Sequence, residues 1–272
     1  MARFCYREGG CGIWSTAKVS RIAPGPSHPT NARAMIPIRD DAPRSTTPYI
    51  TYFLIILNVI VFLYEALLGV QSHAALNALL FQFGVVPRVE TAILSGSTDL
   101  TPAAAAIPVF TSMFLHGSWL HVIGNMWFLW IFGDNIEDYL GHFKYLIFYL
   151  LSGLAAGVLH ILFNLNSGVP SVGASGAIAG VMGGYLILYP RARVLTLVPL
   201  IIFFTFWWLP AWIFLIYWFV IQFLSGAATA IASTSQTGGG IAFWAHVGGF
   251  AAGVLMIKIF PPRRRRFSYG TW

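Results

Sequence analysis

The chain has 272 residues, of which 57% are apolar, 16% aromatic and only 9% charged, with a formal net charge of +7; its mean hydropathy is +0.71. A soluble domain carries about 25% charged residues, so this chain lacks the polar surface that would keep it in water and is expected to be an integral membrane protein. Sixteen basic residues against nine acidic ones would suit a nucleic-acid partner only as a continuous basic face on a soluble domain, and their placement along the chain argues against one.

Residues 1–48 are rich in Pro, Gly, Ser, Thr and Arg without sustained periodicity and read as a disordered cytoplasmic tail. The stretch has no apolar core of roughly 7 to 15 residues and is not expected to be a signal peptide. It holds both cysteines, Cys5 and Cys11, so no disulfide framework organises the rest. A membrane helix needs about 20 mainly apolar residues, fewer when neighbours cover it. That measure gives six candidate spans, at 49–69, 119–132, 143–165, 174–189, 209–225 and 241–260.

The outer loop after span one, 70–118, is too long for a simple connection. Its apolar runs at 76–86 and 103–114 are too short to cross and are expected to lie along the interface. Spans two and four are short and rich in glycine, which suits helices surrounded by other helices, so they belong in the centre of a bundle. Pro199, within an aromatic-rich segment, and Pro210 argue against one continuous helix over 194–225. Span five, with Trp212, Phe214, Tyr217, Trp218 and Phe219, holds no candidate catalytic group; it reads as a lateral gate or as lipid-facing surface. Residues 227–240, wholly polar or small from 233 onward, suit a mobile cap or an idle connector. Residues 262–272 form a basic cytoplasmic tail whose arginines at 263–266 serve as a stop-transfer anchor. All basic residues but Arg88 fall on one side of this arrangement, so both termini are expected in the cytoplasm.

Polar groups inside a bilayer cost a few kcal/mol unless paired, which makes the few present here functional candidates. His116, His121 and Asn125 lie near the start of span two, Ser175 opens span four within Gly173-Ala174-Ser175-Gly176, and His246 sits early in span six. Even-numbered spans all descend from the outer face, so these positions share one depth. A serine needs a neighbouring base to become a nucleophile, and imidazole is the common one. No acidic residue follows Asp138, and Asp134, Glu137 and Asp138 lie at the cytoplasmic end of span two, which leaves a Ser-His dyad without an acid. His121 and Asn125, at i and i+4, can point at one spot as donors to an oxyanion. Ser175/Ala179/Gly183 and Gly176/Gly180/Gly184 in span four, and Ala245/Gly249/Gly253 in span six, are small-residue ridges whose contact carries His246 towards Ser175.

Other intramembrane chemistries lack their residues. There is no His-Glu-x-x-His string, no second buried acid beside Glu65, and no lysine away from the cytoplasmic side. The histidines have no cysteine or carboxylate partners on that face to make a metal site, so neither metal nor cofactor is expected.

His121-x-x-x-Asn125, Gly173-Ala174-Ser175-Gly176 and Ala245-His246-x-x-Gly249-x-x-x-Gly253, in this order on six spans, resemble the rhomboid family of intramembrane serine proteases. Residues 36–65 and 83–87 also resemble bacterial members, so the similarity runs from about Met35 to Pro261 and points to a multi-pass protein of a bacterial plasma membrane. The resemblance implies an all-α, six-span bundle over 49–261 with a short central helix carrying the nucleophile. It implies Ser175 as nucleophile, His246 as general base and acid, and an oxyanion hole of His121, Asn125 and the Ser175 backbone N–H. Its partners are transmembrane protein substrates, cut near their outer ends, and the lipid bilayer. Two departures stand out. Many members have a tyrosine four residues after the nucleophile to stack on the histidine, where this chain has Ala179, so Trp244 or Phe243 is expected to hold His246. A Trp-Arg pair of the first outer loop is absent.

The competing class is a rhomboid-like pseudoprotease that binds transmembrane clients without cutting them; such proteins typically lose the serine or the histidine, and both are here. A channel or transporter would need a polar path through the whole thickness. Substrate identity and oligomeric state are not written in the chain. The resemblance begins close to Met35, which leaves residues 1–34 either a cytoplasmic extension or the product of a misplaced start codon; span insertion and the site need nothing before Met35.

Overall fold

A computed structural model describes residues 35–200, 203–232 and 242–263. The expected tail over 1–34 with Cys5 and Cys11, the polar part of the cap segment and the arginines at 264–266 lie outside the described residues.

The fold is mostly helical. Helix α1, Tyr49–Gln71, is followed by the shorter α2, His73–Phe83, α3, Pro87–Leu94, and α4, Pro102–Thr111, which fill the loop expected to lie at the interface. Prolines open α3 and α4, where a missing N–H costs no helical bond. Ser118 then caps α5, Trp119–Leu140, accepting from the His121 N–H at 3.2 Å. Next come α6, His142–Phe163, α7, Ser175–Leu188, α8, Ala211–Ala232, and α9, Phe243–Met256. Residues 227–232, expected in a loop, continue α8. Helices α1, α6 and α8 over 211–228 are long and apolar enough to cross a membrane, and α5 with the segment 104–114, bent by 84° against it, gives up to one more. The helices α7 and α9 are apolar but have 14 residues each.

The all-α expectation fails at one place. Strand β1, Ile36–Asp40, pairs antiparallel with β2, Arg193–Leu200, which pairs antiparallel with β3, Phe203–Pro210. β-Branched and aromatic residues fill β2 and β3, which favours a pleated surface over a helix; the break expected from Pro199 and Pro210 is there, as a hairpin. β1 falls within the stretch read as disordered. It is ordered by a partner strand that lies 154 to 161 residues downstream and by α5, along which it lies and whose Trp127 indole N–H donates to the Pro37 carbonyl at 2.6 Å. Tyr185 of α7 donates its hydroxyl to Asp40, and Arg39 sits 5.4 Å over the Trp208 ring.

The acids at the far end of α5 are structural. Glu137 accepts from Ile50 N, Thr51 N and Thr51 Oγ1 at 2.7 to 2.9 Å, so a carboxylate from α5 occupies the N-terminus of α1. Asp138 accepts from Ser45 and Thr46, and Asp134 pairs with Arg44 at 3.2 Å.

Helix α7 is the centre of the molecule, buried from Gly176 through Tyr185. It meets α9 backbone to backbone. A Cβ added to Gly249 would fall 1.9 Å from the Gly176 oxygen, and one on Gly253 1.9 Å from the Gly180 oxygen. On its other side a Cβ on Gly180 would fall 2.3 Å from Ser152 of α6. The small-residue ridges therefore pack as their spacing predicts, with α7 held between α6 and α9.

Candidate active site

The close approach of α7 and α9 sets the geometry of the site. Ser175 is the first residue of α7, and His246 stands in the first turn of α9. The His246 Nε2 lies 2.7 Å from Ser175 Oγ. On the other side of the ring, Nδ1 lies 2.7 Å from Oε1 of Gln222 on α8. Trp218, one turn earlier on α8, has its ring centroid 5.6 Å from that of His246 at an interplanar angle of 36°. The imidazole is buried and, projecting from α9, is contacted from both α7 and α8.

The expected anchors of this ring are elsewhere. Trp244 stacks on Phe163 at 4.1 Å, and Phe243 lies against Gly226. Ala179, in place of the family's tyrosine, is fully buried, and the aromatic ring beside the histidine is that of Trp218 from α8. Span five, read as free of candidate groups, thus supplies two contacts to His246. The signal was present: Gln222 is a polar side chain in an otherwise apolar span, spaced i+4 from an aromatic residue.

Helix α5 delivers its pair from a third direction. Gly173, with φ of +133°, turns the chain into α7 and donates its N–H to the Ser112 carbonyl at 2.8 Å. A Cβ there would fall 2.7 Å from His121 Nε2 and 3.6 Å from Asn125 Nδ2, so both side-chain nitrogens converge on the backbone two residues before Ser175. Asn125 Nδ2 is buried and has no hydrogen-bond partner among the described residues. The first helical bond of α7 runs from Ile178 N–H to Ala174 O at 3.0 Å, which leaves the N–H groups of Ser175, Gly176 and Ala177 ahead of the ladder. Amide donors and two side-chain nitrogens therefore border the serine.

His116, a candidate by its polarity, is buried beside His121 rather than placed against Ser175. Its ring packs edge-on against His121 at 5.1 Å, and its backbone N–H donates to Glu65 of α1 at 3.1 Å. A cavity of about 30 Å³ lies behind the serine, lined by Ser112, His160, Ser171, Gly173 and Ser175 among others; this is room for about one water. No acidic side chain hydrogen-bonds either ring nitrogen of His246 among the described residues. Nor are three or more His, Cys, Asp or Glu side chains grouped there to hold a metal. Such an arrangement can transfer a proton from a hydroxyl to an imidazole next to a set of N–H donors, which is the chemistry of acyl transfer.

Comparison with known proteins gives the following. Residues 104–263 match the Rhomboid domain. The chain is 30% identical over 198 residues, 69% of its length and 47% of the relative's, to the presenilin-associated rhomboid-like protein, mitochondrial, of Mus musculus. It is 31% identical over 155 residues, 55% of its length and 40% of the relative's, to Rhomboid protein 1, mitochondrial, of Saccharomyces cerevisiae. Over 78 residues, 29% of its length and 25% of the relative's, it is 40% identical to the RHOMBOID-like protein 6, mitochondrial, of Arabidopsis thaliana. The chain spans less than half the length of each of these relatives. All three are mitochondrial by name, which gives no support to the bacterial plasma membrane expected from the sequence.

Proposed function

The chain belongs to the rhomboid family and is an integral membrane protein, and on that premise we propose that it is an intramembrane serine endopeptidase that cuts transmembrane segments of other membrane proteins. The observation that carries this reading is the 2.7 Å contact of Ser175 Oγ with His246 Nε2. In acylation, Nε2 takes the hydroxyl proton as Oγ attacks the scissile carbonyl carbon. The developing oxyanion is met by the Ser175 N–H and by donors from His121 and Asn125. His246 then delivers its proton to the amide nitrogen as the C–N bond breaks. In deacylation His246 takes a proton from water, the hydroxide adds to the acyl carbon, and Oγ leaves and recovers the proton. The reading involves no metal or cofactor.

Six spans follow as α1, α5, α6, α7, α8 and α9, with the short α7 and α9 sheltered by their neighbours. Their basic flanks lie on the side of the membrane that retains positive charge, and the outer ends of α5, α7 and α9 meet at the site. The protease domain is 49–261 with β1 added to it.

The test is to reconstitute the protein with a single-span substrate and compare it with Ser175→Ala. Cleavage near the substrate's outer end that vanishes in the variant supports the reading. Binding of the substrate without cleavage by the folded, unsubstituted protein would contradict it and favour the pseudoprotease.

A further inference from the structure

A histidine that serves as general base must present one bare nitrogen to the nucleophile, and something must keep the proton on the other. In serine proteases of the triad type a carboxylate does this. Seven of the nine acids are engaged elsewhere among the described residues: Glu137 at the N-terminus of α1, Asp138 with Ser45 and Thr46, Asp134 with Arg44, Asp40 with Tyr185, Asp41 with Arg193, Glu65 with the His116 N–H and Glu90 with the Val86 N–H. No acid follows Asp138 in the chain.

We propose that Gln222 is the positioning residue of this dyad, its side-chain oxygen holding the His246 proton on Nδ1 so that Nε2 is bare towards Ser175. This rests on the reading of Ser175 and His246 as the catalytic pair. Three observations support it. The Gln222 Oε1 is 2.7 Å from Nδ1, a full hydrogen bond. An amide oxygen can only accept, so Nδ1 carries the hydrogen; the neutral imidazole has a single N–H, and Nε2 therefore accepts from the serine hydroxyl 2.7 Å away. Trp218, at i−4 on the same face of α8, bounds the ring and packs on Phe250 of α9 at 6.2 Å, so the amide and the indole act on His246 from one rigid surface. A neutral amide also suits the location. It orients the ring without burying a carboxylate at membrane depth, where an ionised group is costly.

The experiment uses the reconstituted full chain with a single-span substrate and a fluorophosphonate probe. Gln222→Met keeps the shape and removes the acceptor; Gln222→Glu keeps an acceptor. With Ser175-dependent cleavage established in the unsubstituted protein, Gln222→Met is expected to lower kcat and the rate of Ser175 labelling roughly 10-fold to 100-fold, the effect of leaving a buried donor unpaired. KM and the thermal midpoint are expected to stay unchanged, and Gln222→Glu to retain most of the rate. Unaltered kcat in Gln222→Met, or equal loss in Met and Glu variants, would overturn the assignment while leaving the catalytic pair intact. A lack of Ser175-dependent cleavage in the unsubstituted protein would overturn the pair itself. An independent readout needs no substrate: 15N spectra of histidine-labelled protein, with His246 identified by its loss in His246→Ala, should give the Nδ1-protonated tautomer. The Nε2-protonated form in the unsubstituted protein would overturn the proposal.

Discussion

The side-chain amide of Asn125 is buried with Nδ2 unpaired among the described residues, a donor available to an incoming partner. An oxyanion is such a partner. Removing one donor of this kind costs about 100-fold to 1,000-fold in turnover, so Asn125→Ala is expected to lose that much kcat while still folding, and His121→Ala to resemble it. Kinetics on a single-span substrate check this, and unchanged rates in both would detach α5 from the site. Much of this was legible in the sequence. Ser175, His246, His121 and Asn125 were marked by polarity at a shared depth. Gln222 and Trp218 escaped because an aromatic-rich span reads as lipid surface, although the rule that picks out polar residues in membranes applies to Gln222 as well as to Asn125. The burial of His116 is not legible locally, because Phe62 and Glu65, which pack against it, lie more than 50 residues away.

Helix α9 reaches the site only because nothing projects from Gly249 and Gly253. A methyl at Gly249 would meet backbone atoms at 1.9 Å, which no rotamer change relieves. Gly249→Ala is expected to cost about 3 kcal/mol or more and to abolish labelling of Ser175, whereas Gly124→Ala, with open space around it, should be neutral or slightly stabilising. Thermal melts of the two variants in detergent check this. In the outer segment, Glu90 of α3 is buried with its carboxyl pushed up to about 7 by desolvation, and it accepts the Val86 N–H at 3.3 Å. The folded chain therefore binds more protons at Glu90 than the unfolded chain between about pH 4.5 and 7, and Glu90's contribution to stability is present below that window and lost as pH rises through it. Compared with Glu90→Gln, the unsubstituted protein should lose thermal stability from pH 4.5 to 7 and run parallel to the variant above pH 8; a constant difference across this range would contradict the account. Each of the six apolar stretches contains a helix, because helix formation is local, although α5 runs eight residues beyond the expected end at 132. The sheet was missed, since β1 has five residues, one of them proline, and gains its order from a partner far along the chain.

For the molecule as a whole, Ser175, His246, Gln222 and the His121/Asn125 pair, to which we assign the roles of nucleophile, base, positioning amide and oxyanion donors, come from α7, α9, α8 and α5, and α7 is the element that the others surround. The N-terminal contacts are part of this assembly, since β1 pairs with β2 and the segment after it binds Asp134 and Asp138. A chain beginning at Met35 keeps all of these and is expected to insert and cleave as well as the full chain. One beginning at Tyr49 loses them and should melt at a lower temperature; equal stability would show that the sheet is incidental. Whether His246 makes Ser175 a nucleophile is decided by mapping a fluorophosphonate adduct by mass spectrometry in the reconstituted protein and in His246→Ala. An adduct on Ser175 that is absent from the folded variant is expected. No adduct on Ser175 in the unsubstituted protein, or undiminished labelling in His246→Ala, would contradict it.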